Sequence, residues 1–418
     1  MKQLAEAQFR RIIKVKYLLV FAVVAIAMVH IGQAAPIPVL NQPYPDALSY
    51  VREAVQISEG EGFKTDFDER LDIKSTIKES KGLFSSRYPP GFPIFLAPFA
   101  LINGERGVQW GSKAVSVILP LLLALLALEI YGPLAAILTS IFVILSPFAS
   151  ESASLVFSDL FGAVITLLAI GALLMARRFP QGNYLTKYSF VLFGVFCGFG
   201  LLSRTSLVIL LLAAGLVFIR EKALKFIIIG ALPFLILLGS YQWIEFGSPL
   251  RSGYSEFVVG VDEFAPKWAT KSEIFGERAF IYSDRLNGGA VRWTCPCDEF
   301  GPMGKAPNIV FYPLVLAGMY WIFSPPVLGV VGLFYLIKRR SVIENRFAIC
   351  VIFLNLVMSI FYFYQGARLV APAGYLLLLF GSVGLAKLLT RLKFLFMGWL
   401  SKSERLRNAR RPSTSMQS

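Results

Sequence analysis

Apolar runs separated by short polar turns make up most of this sequence. They occupy residues 17–35, 108–130, 132–147, 155–175, 188–202, 206–219, 226–243, 326–337, 347–364 and 369–388. Alone or as tight hairpins, such runs can cross a ~30 Å hydrocarbon core as helices. The pattern therefore predicts an all-α polytopic membrane protein with about ten transmembrane helices. The Pro pair in IFSPPVLG (322–329) predicts a break between an interfacial helix and a span, because proline lacks an N–H and clashes with the preceding turn. Two polar loops, 36–93 and 243–307, interrupt the pattern. In the first, Leu48, Val51 and Val55 stand at helical spacing, and RYPPGFP reads as a rigid turn ahead of a juxtamembrane helix. The basic flank Arg10, Arg11, Lys14 and Lys16 precedes the first run, and the following AAPIP offers no convincing cleavage site. That run is read as a signal anchor. The expected organisation is a transmembrane domain over 1–390 and a basic tail over 391–418.

Composition agrees with a lipid environment. The chain is 56% hydrophobic and 16% charged, with a mean hydropathy of +0.63. Its net charge of +15 suggests nucleic acid at first sight, but the distribution argues for membrane topology. Segments 1–16, 176–187, 220–225, 338–346 and 387–411 hold 23 of the 41 Lys and Arg with only four acids, whereas the two long loops hold 14 basic and 18 acidic residues. Excess Lys and Arg marks cytoplasmic segments. Both termini are therefore expected in the cytoplasm, both long loops outside, and no nucleic-acid partner is implied. The basic tail RLRNARR is suited to anionic membrane lipid.

Candidate chemistry is sparse. Cys197 and Cys350 lie in apolar runs and read as inert thiols, and Cys295-Pro-Cys297 has no second Cys pair or nearby His to complete a zinc site. The sole histidine, His30, lies inside the first run. Polar residues at the outer ends of spans are more informative: Asp46 after the first run, Glu151 and Asp159 in ASESASLVFSD, Arg204 in LLSRTS, Arg368 in YQGARLVAP, and Arg87 before YPPGFP. Each has a structural reading of its own. Asp46 suits a helix N-cap, Asp159 a helix start, and the arginines suit snorkelling to the interface. Together, carboxylates and guanidiniums on one membrane face suit a lipid-borne anionic substrate. Arginine pairs with phosphate, and a carboxylate can take a proton from a hydroxyl. The sequence has no GxxxxGK[ST] and no Rossmann glycine turn, so an activated donor would come from the membrane.

Several stretches, in order, resemble the GT-C glycosyltransferases, in particular the branch related to protein O-mannosyltransferases and aminoarabinose transferases. They are PDALSYVREAVQISEGEGF, SSRYPPGFPIFLAPFALI, the SPFASESASLVFSDLFG hairpin, GFGLLSRTSLVILLLA, WIEFGSPLRSGY and YQGARLVAPAGYLLLLFG. Many relatives carry two adjacent acids in the first motif, whereas Asp46 is followed by Ala47; some carry a soluble C-terminal domain, whereas a short basic tail is expected here.

The resemblance implies transfer of a sugar from a polyprenyl-phosphate donor to an extracytoplasmic hydroxyl, with inversion. It implies Asp46 as general base, Asp159 as a second acid that positions acceptor or sugar hydroxyls, and Glu151 as its substitute. Arg204 and Arg368 would receive the departing phosphate, Arg87 and Tyr88 would line the donor entrance, and Tyr50 would belong to the acceptor side. Trp268, Tyr282 and Trp293 in the second loop offer acceptor contacts. No metal site and no cofactor is required, though a divalent cation is compatible. The acceptor is a protein, lipid or glycan, and the setting a bacterial plasma (inner) membrane. The rival readings are a lipid-linked glycan flippase or transporter, a polysaccharide polymerase or ligase, and a non-catalytic scaffold. A transporter would be expected to show internal repeats and midplane polar residues. A polymerase or ligase would place its large outer loop late in the chain, and a scaffold leaves the ordered acids and arginines unexplained.

Overall fold

The computed structural model describes residues 2–38, 45–66, 79–80, 83–86, 88–180, 182–253, 281–284, 291–294, 306–362 and 366–409. Arg87, Trp268, Cys295 and Cys297 lie outside them. Helices dominate, as the periodicity predicts. Seven are long and apolar enough to cross a membrane, and three shorter apolar helices correspond to the runs at 132–147, 206–219 and 326–337. Every predicted run is therefore represented by a helix.

The first helix, α1 (Lys2–Gly32), packs on two later helices, α3 (Gly91–Ile130) and α4 (Pro133–Ile144). Beyond α1 the backbone is tied down on its way toward Asp46. Lys113 Nζ donates to the Ala34 carbonyl at 2.8 Å, Gln109 Nε2 to the Ile37 carbonyl at 3.1 Å, and the Ile37 N–H to the Ser154 carbonyl at 2.8 Å. The amphipathic helix of the first loop is α2 (Pro45–Glu59), which buries Ala47, Tyr50, Val51 and Ala54.

Helix α3 departs from the simple pattern. Its 40 residues are interrupted by non-helical backbone at Asn103 and Gly104, the latter at φ +52°, which costs glycine little. The two arms fold back on each other: a Cβ at Gly107 would lie 1.9 Å from the Phe99 carbonyl oxygen, and one at Gly111 2.7 Å from the Phe99 ring. Residues 91–102 thus form the expected juxtamembrane helix, and the following arm forms the span.

The remaining chain is built as follows. After α4 come α5 (Pro147–Ser152), α6 (Ser158–Arg178), α7 (Tyr184–Ser203), a 3-10 turn Thr205–Leu207, α8 (Val208–Phe218) and α9 (Leu224–Phe246). Then follow α10 (Asn308–Leu316), α11 (Leu328–Lys338), α12 (Ile343–Ile360), a 3-10 turn Ala367–Val370 and α13 (Ala371–Ala409). The Pro325–Pro326 region separates α10 from α11, as predicted. In the apolar window of α6, and in that of α13, 83% of residues are buried, against 22% for α1 and for α9. The former pair is therefore the centre of the bundle and the latter its lipid-facing margin.

The loops also carry short strands that the periodicity did not predict. β1 (Lys64–Thr65), β2 (Glu79–Ser80) and β3 (Leu83–Ser85) form an antiparallel sheet in the order β1-β3-β2. β4 (Ile281–Asp284) pairs antiparallel with β5 (Val291–Thr294), placing Tyr282 opposite Trp293 in register. Pairs this short are read poorly from alternation, since strands of two to four residues carry too little of a period. The expected boundary at 390 falls inside α13, which continues as a helix to Ala409. Residues 391–400 are exposed beyond the bundle.

Candidate active site

Four ends of elements meet at one end of the bundle: the start of α2, the start of α6, the end of α7 and the 3-10 turn before α13. Each presents a charged residue. Asp46 lies in the first turn of α2 and Asp159 in the first turn of α6, where the helix dipole favours a carboxylate. Arg204 terminates α7 with extended backbone, φ −160° and ψ 123°. Arg368 lies in the turn Ala367–Val370.

The side chains converge. Arg368 Nη1 is 2.8 Å from Asp46 Oδ2 and 3.8 Å from Asp159 Oδ2. Arg204 Nη2 is 2.7 Å from Asp159 Oδ1. The other edges of the Arg204 guanidinium donate to Ser158 Oγ at 2.9 Å and Ser206 Oγ at 2.8 Å. Tyr50 Oη and Ser158 Oγ share a hydrogen bond of 2.8 Å, which joins α2 to α6. The Arg368 guanidinium also lies 5.4 Å from the centre of the Phe157 ring, a cation–π distance.

Burial ranks the four. The side chain of Asp159 is 1% exposed, whereas those of Asp46, Arg368 and Arg204 are 12%, 15% and 17% exposed. Asp159 is thus enclosed between two guanidiniums. Asp46, Arg368 and Arg204 are less enclosed. A buried carboxylate held by two arginines mainly fixes their geometry, because ions taken out of water need close partners.

Two aromatic residues complete the wall. Tyr88 is buried and its ring centre is 4.8 Å from that of Tyr50; Phe92 meets Tyr50 edge-on at 5.2 Å. The YPPG segment is held there by a close approach. A Cβ at Gly91 would lie 2.7 Å from the Leu202 carbonyl carbon and from the Ser203 nitrogen, so the start of α3 rests on the backbone just before Arg204.

The structure therefore brings together Asp46, Asp159, Arg204 and Arg368, with Tyr50 and Tyr88 beside them. Glu151 is exposed on α5, unlike Asp159. The sequence reading overlooked Ser158, Ser206 and Phe157. Ser158 was visible in hindsight as the hydroxyl next to Asp159 in VFSD. A second polar group was also overlooked. Glu245 near the end of α9 accepts from Lys64 Nζ and Ser85 Oγ, and Tyr241 Oη donates to the Ser86 carbonyl at 3.3 Å. It ties the first loop to the last turns of α9. Among the described residues no group of three or more His, Cys, Asp or Glu is arranged to hold a metal ion.

At the opposite end of α6, Arg177 pairs with Glu344 of α12 and Arg178 with Glu129 of α3. With 21 residues at ~1.5 Å each, α6 separates its acidic start from this basic end by about 30 Å.

Residues 87–241 match the sequence model of the family described as dolichyl-phosphate-mannose-protein mannosyltransferase. That segment includes Tyr88, Asp159 and Arg204 but excludes Asp46 and Arg368. No curated protein sequence matches the chain. Solved structures do. ArnT from Cupriavidus metallidurans bound to undecaprenyl phosphate is 13% identical with a TM-score of 0.53, covering 88% of this chain and 59% of that one. The Archaeoglobus fulgidus oligosaccharyltransferase tethered to an acceptor peptide containing the NVT sequon is 12% identical with a TM-score of 0.56, over 90% of this chain and 50% of that one. AglB from the same organism, in complex with an inhibitory peptide and a dolichol-phosphate, is 14% identical with a TM-score of 0.53, over 96% and 52%. The chain thus spans between half and three fifths of the length of these structures, and at such identities the likeness is one of fold. Seven long and three shorter apolar helices among the described residues, together with this likeness, give the chain a membrane fold like that of ArnT and the archaeal oligosaccharyltransferase.

Proposed function

We propose that this protein is an integral membrane glycosyltransferase that moves a sugar from a polyprenyl-phosphate donor to a hydroxyl on the extracytoplasmic side. The observation that carries this reading is the contact of Arg368 with both Asp46 and Asp159, residues that reach one site from three distant parts of the chain. Two carboxylates and two arginines at one end of a lipid-embedded bundle suit a reaction in which a hydroxyl loses a proton while a phosphate departs.

The side of the membrane follows from charge. The end of α6 away from the site carries Arg177 and Arg178, and the turn Lys338–Arg340 and the segment Arg220–Lys225 are also basic. Basic turns face the cytoplasm, so the carboxylates lie outside. A bacterial plasma membrane with cytoplasmic termini fits this arrangement.

In the proposed step the acceptor oxygen attacks the anomeric carbon opposite the phosphate. The bond from that carbon to the phosphate oxygen breaks with inversion, and the acceptor proton passes to Asp46. The leaving polyprenyl phosphate takes the electron pair and is met by Arg204 and Arg368, which stabilise charge where it develops. Asp159, enclosed between the guanidiniums, holds them in place. This role is preferred to direct contact with acceptor hydroxyls because its side chain is almost fully buried. An arriving phosphate competes with Asp46 for Arg368, so donor binding and release of the base are linked. Tyr88 lines the donor side beside Tyr50, with Arg87 next to it in sequence. The second loop is the acceptor side, and the acceptor is a protein, lipid or glycan hydroxyl. No cofactor is required by this scheme.

The test is mass spectrometry of envelope glycoproteins, lipids and wall glycans from a deletion strain complemented with wild type or with Asp46→Asn. A glycan lost in the deletion, restored by wild type and not by the variant, supports the reading. Restoration by Asp46→Asn removes the base assignment, and an unchanged envelope removes the transferase reading.

A further inference from the structure

Arg368 does not sit on a regular helix. It leaves the chain from the 3-10 turn Ala367–Val370, immediately before α13, and crosses to α2 and α6. A guanidinium at the end of a long side chain reaches a fixed point only when its backbone is fixed. The fixing groups here come from other helices. Asn355 of α12, 2% exposed, donates its amide N–H to the Leu369 carbonyl at 3.0 Å and accepts from the Ala373 N–H at 3.3 Å. Leu369 is the neighbour of Arg368. Leu369 and Ala373 are the i and i+4 positions of a helical turn, and Pro372 between them has no N–H to contribute. The amide orientation is set by chemistry, since a carbonyl needs a donor and an N–H needs an acceptor. Upstream, Tyr312 of α10 accepts from the Gly366 N–H at 3.3 Å.

A buried amide in an apolar helix is costly unless both of its faces are satisfied. Leucine at 355 would suit the apolar surroundings but would support neither backbone group. Asn355 acts as a cap on α13 supplied from α12, at the turn that carries Arg368.

We propose that Asn355 is a positioning residue: its side-chain amide sets the backbone from which Arg368 reaches Asp46. The consequence for phosphate rests on the proposed function above, whereas the consequence for geometry does not.

The experiment has two arms, both on the full chain in detergent or nanodiscs. The first reads geometry alone. A D46C/R368C pair, with the four native cysteines replaced by serine, is treated with a short bifunctional thiosulfonate. Introducing Asn355→Leu is expected to slow crosslinking at least about fivefold; equal rates overturn the proposal. The second arm reads binding of undecaprenyl monophosphate. Arg368→Ala is expected to weaken it about tenfold or more, Asn355→Leu by about fivefold, and the double variant no more than Arg368→Ala alone, the non-additivity of residues that act through one another. Additive losses overturn the proposal. Unchanged binding in Arg368→Ala overturns the phosphate reading instead, and leaves the crosslinking arm to decide on Asn355. If Asn355→Leu does not fold, the isosteric Asn355→Asp, which keeps the acceptor and loses the donor, serves in both arms. Asn308→Ala, which removes amide bonds to the Ile360 and Tyr362 carbonyls at the end of α12, is the control expected to be additive with Arg368→Ala.

Discussion

Arg368 Nη1 lies 2.8 Å from Asp46 Oδ2 across a sequence separation of 322 residues. The first long loop and the turn that leads into the last membrane helix are therefore joined by this ion pair. Because Asp159 is 3.8 Å from the same nitrogen, any anion that approaches Arg368 changes the surroundings of both carboxylates at once.

Asp46→Asn is expected to remove transfer while leaving the fold intact. The amide keeps the size and a hydrogen-bond acceptor for Arg368 but cannot accept the acceptor's proton. A general base is worth about 10²–10⁴ in rate, so turnover should fall within that range. Binding of undecaprenyl phosphate should persist, and should tighten if Arg368 is freed. Full turnover in this variant would exclude Asp46 as the base.

Arg204 holds Asp159, Ser158 and Ser206 through three different nitrogens. Lysine can keep the charge but cannot reproduce that planar fork. Arg204→Lys should therefore weaken donor use almost as much as Arg204→Ala, each by about tenfold or more, with acceptor KM less affected. Recovery to wild-type donor KM with lysine would show that charge alone matters here.

Gly91→Ala should be destabilising, since its Cβ would meet the backbone of Leu202 and Ser203 at 2.7 Å. The start of α3 or the Arg204 turn must then move. A loss of about 1–3 kcal/mol is the usual scale for overpacking. Gly215→Ala, where a Cβ on α8 meets nothing within 4 Å, should be neutral or slightly stabilising. Thermal unfolding of the two variants in the same detergent checks the contrast; equal behaviour would mean that the α3–α7 contact relaxes freely.

How much of this was legible in the sequence depends on whether the signal was local. Each span announced itself, because lipid burial of a helix needs a contiguous apolar run. Asp159 and Arg204 stood out because ionised groups at the ends of such runs need a reason. The two arms of α3 were separable, since the polar NGER at 103–106 parts the juxtamembrane segment from the run at 108–130; what was hidden is that the second arm folds back against the first at Asn103–Gly104. Asn355 was invisible for another reason: an amide in an apolar run says nothing about which backbone groups it will meet. The pairing of Lys64 with Glu245 was equally hidden, because loop charges are common and only tertiary structure selects partners among them. Asp159 differs in emphasis. Its place at a helix start was foreseen, but its enclosure between two arginines follows from how α6, α7 and the Arg368 turn pack.

The Lys64–Glu245 pair yields the last prediction. Glu245 is 8% exposed, lies close to the end of α9, and accepts from Lys64 and Ser85 on the small sheet of the first loop. This sheet lies between α2, which carries Asp46, and the YPPG segment, so the pair anchors the middle of the loop to the membrane helices. Glu245→Ala removes the acceptor of two donors and leaves a partly buried ammonium without its carboxylate, a change worth on the order of 1–3 kcal/mol locally. The expected result is faster hydrogen exchange at 64–66 and 83–86, with the spans unchanged. Turnover should fall moderately because the loop that carries Asp46 is less restrained. Lys64→Met/Glu245→Leu removes both charges and substitutes packing, and should restore much of the protection. If exchange in Glu245→Ala matches wild type, other contacts such as that of Tyr241 with the Ser86 carbonyl hold the loop and the ion pair contributes nothing to the site.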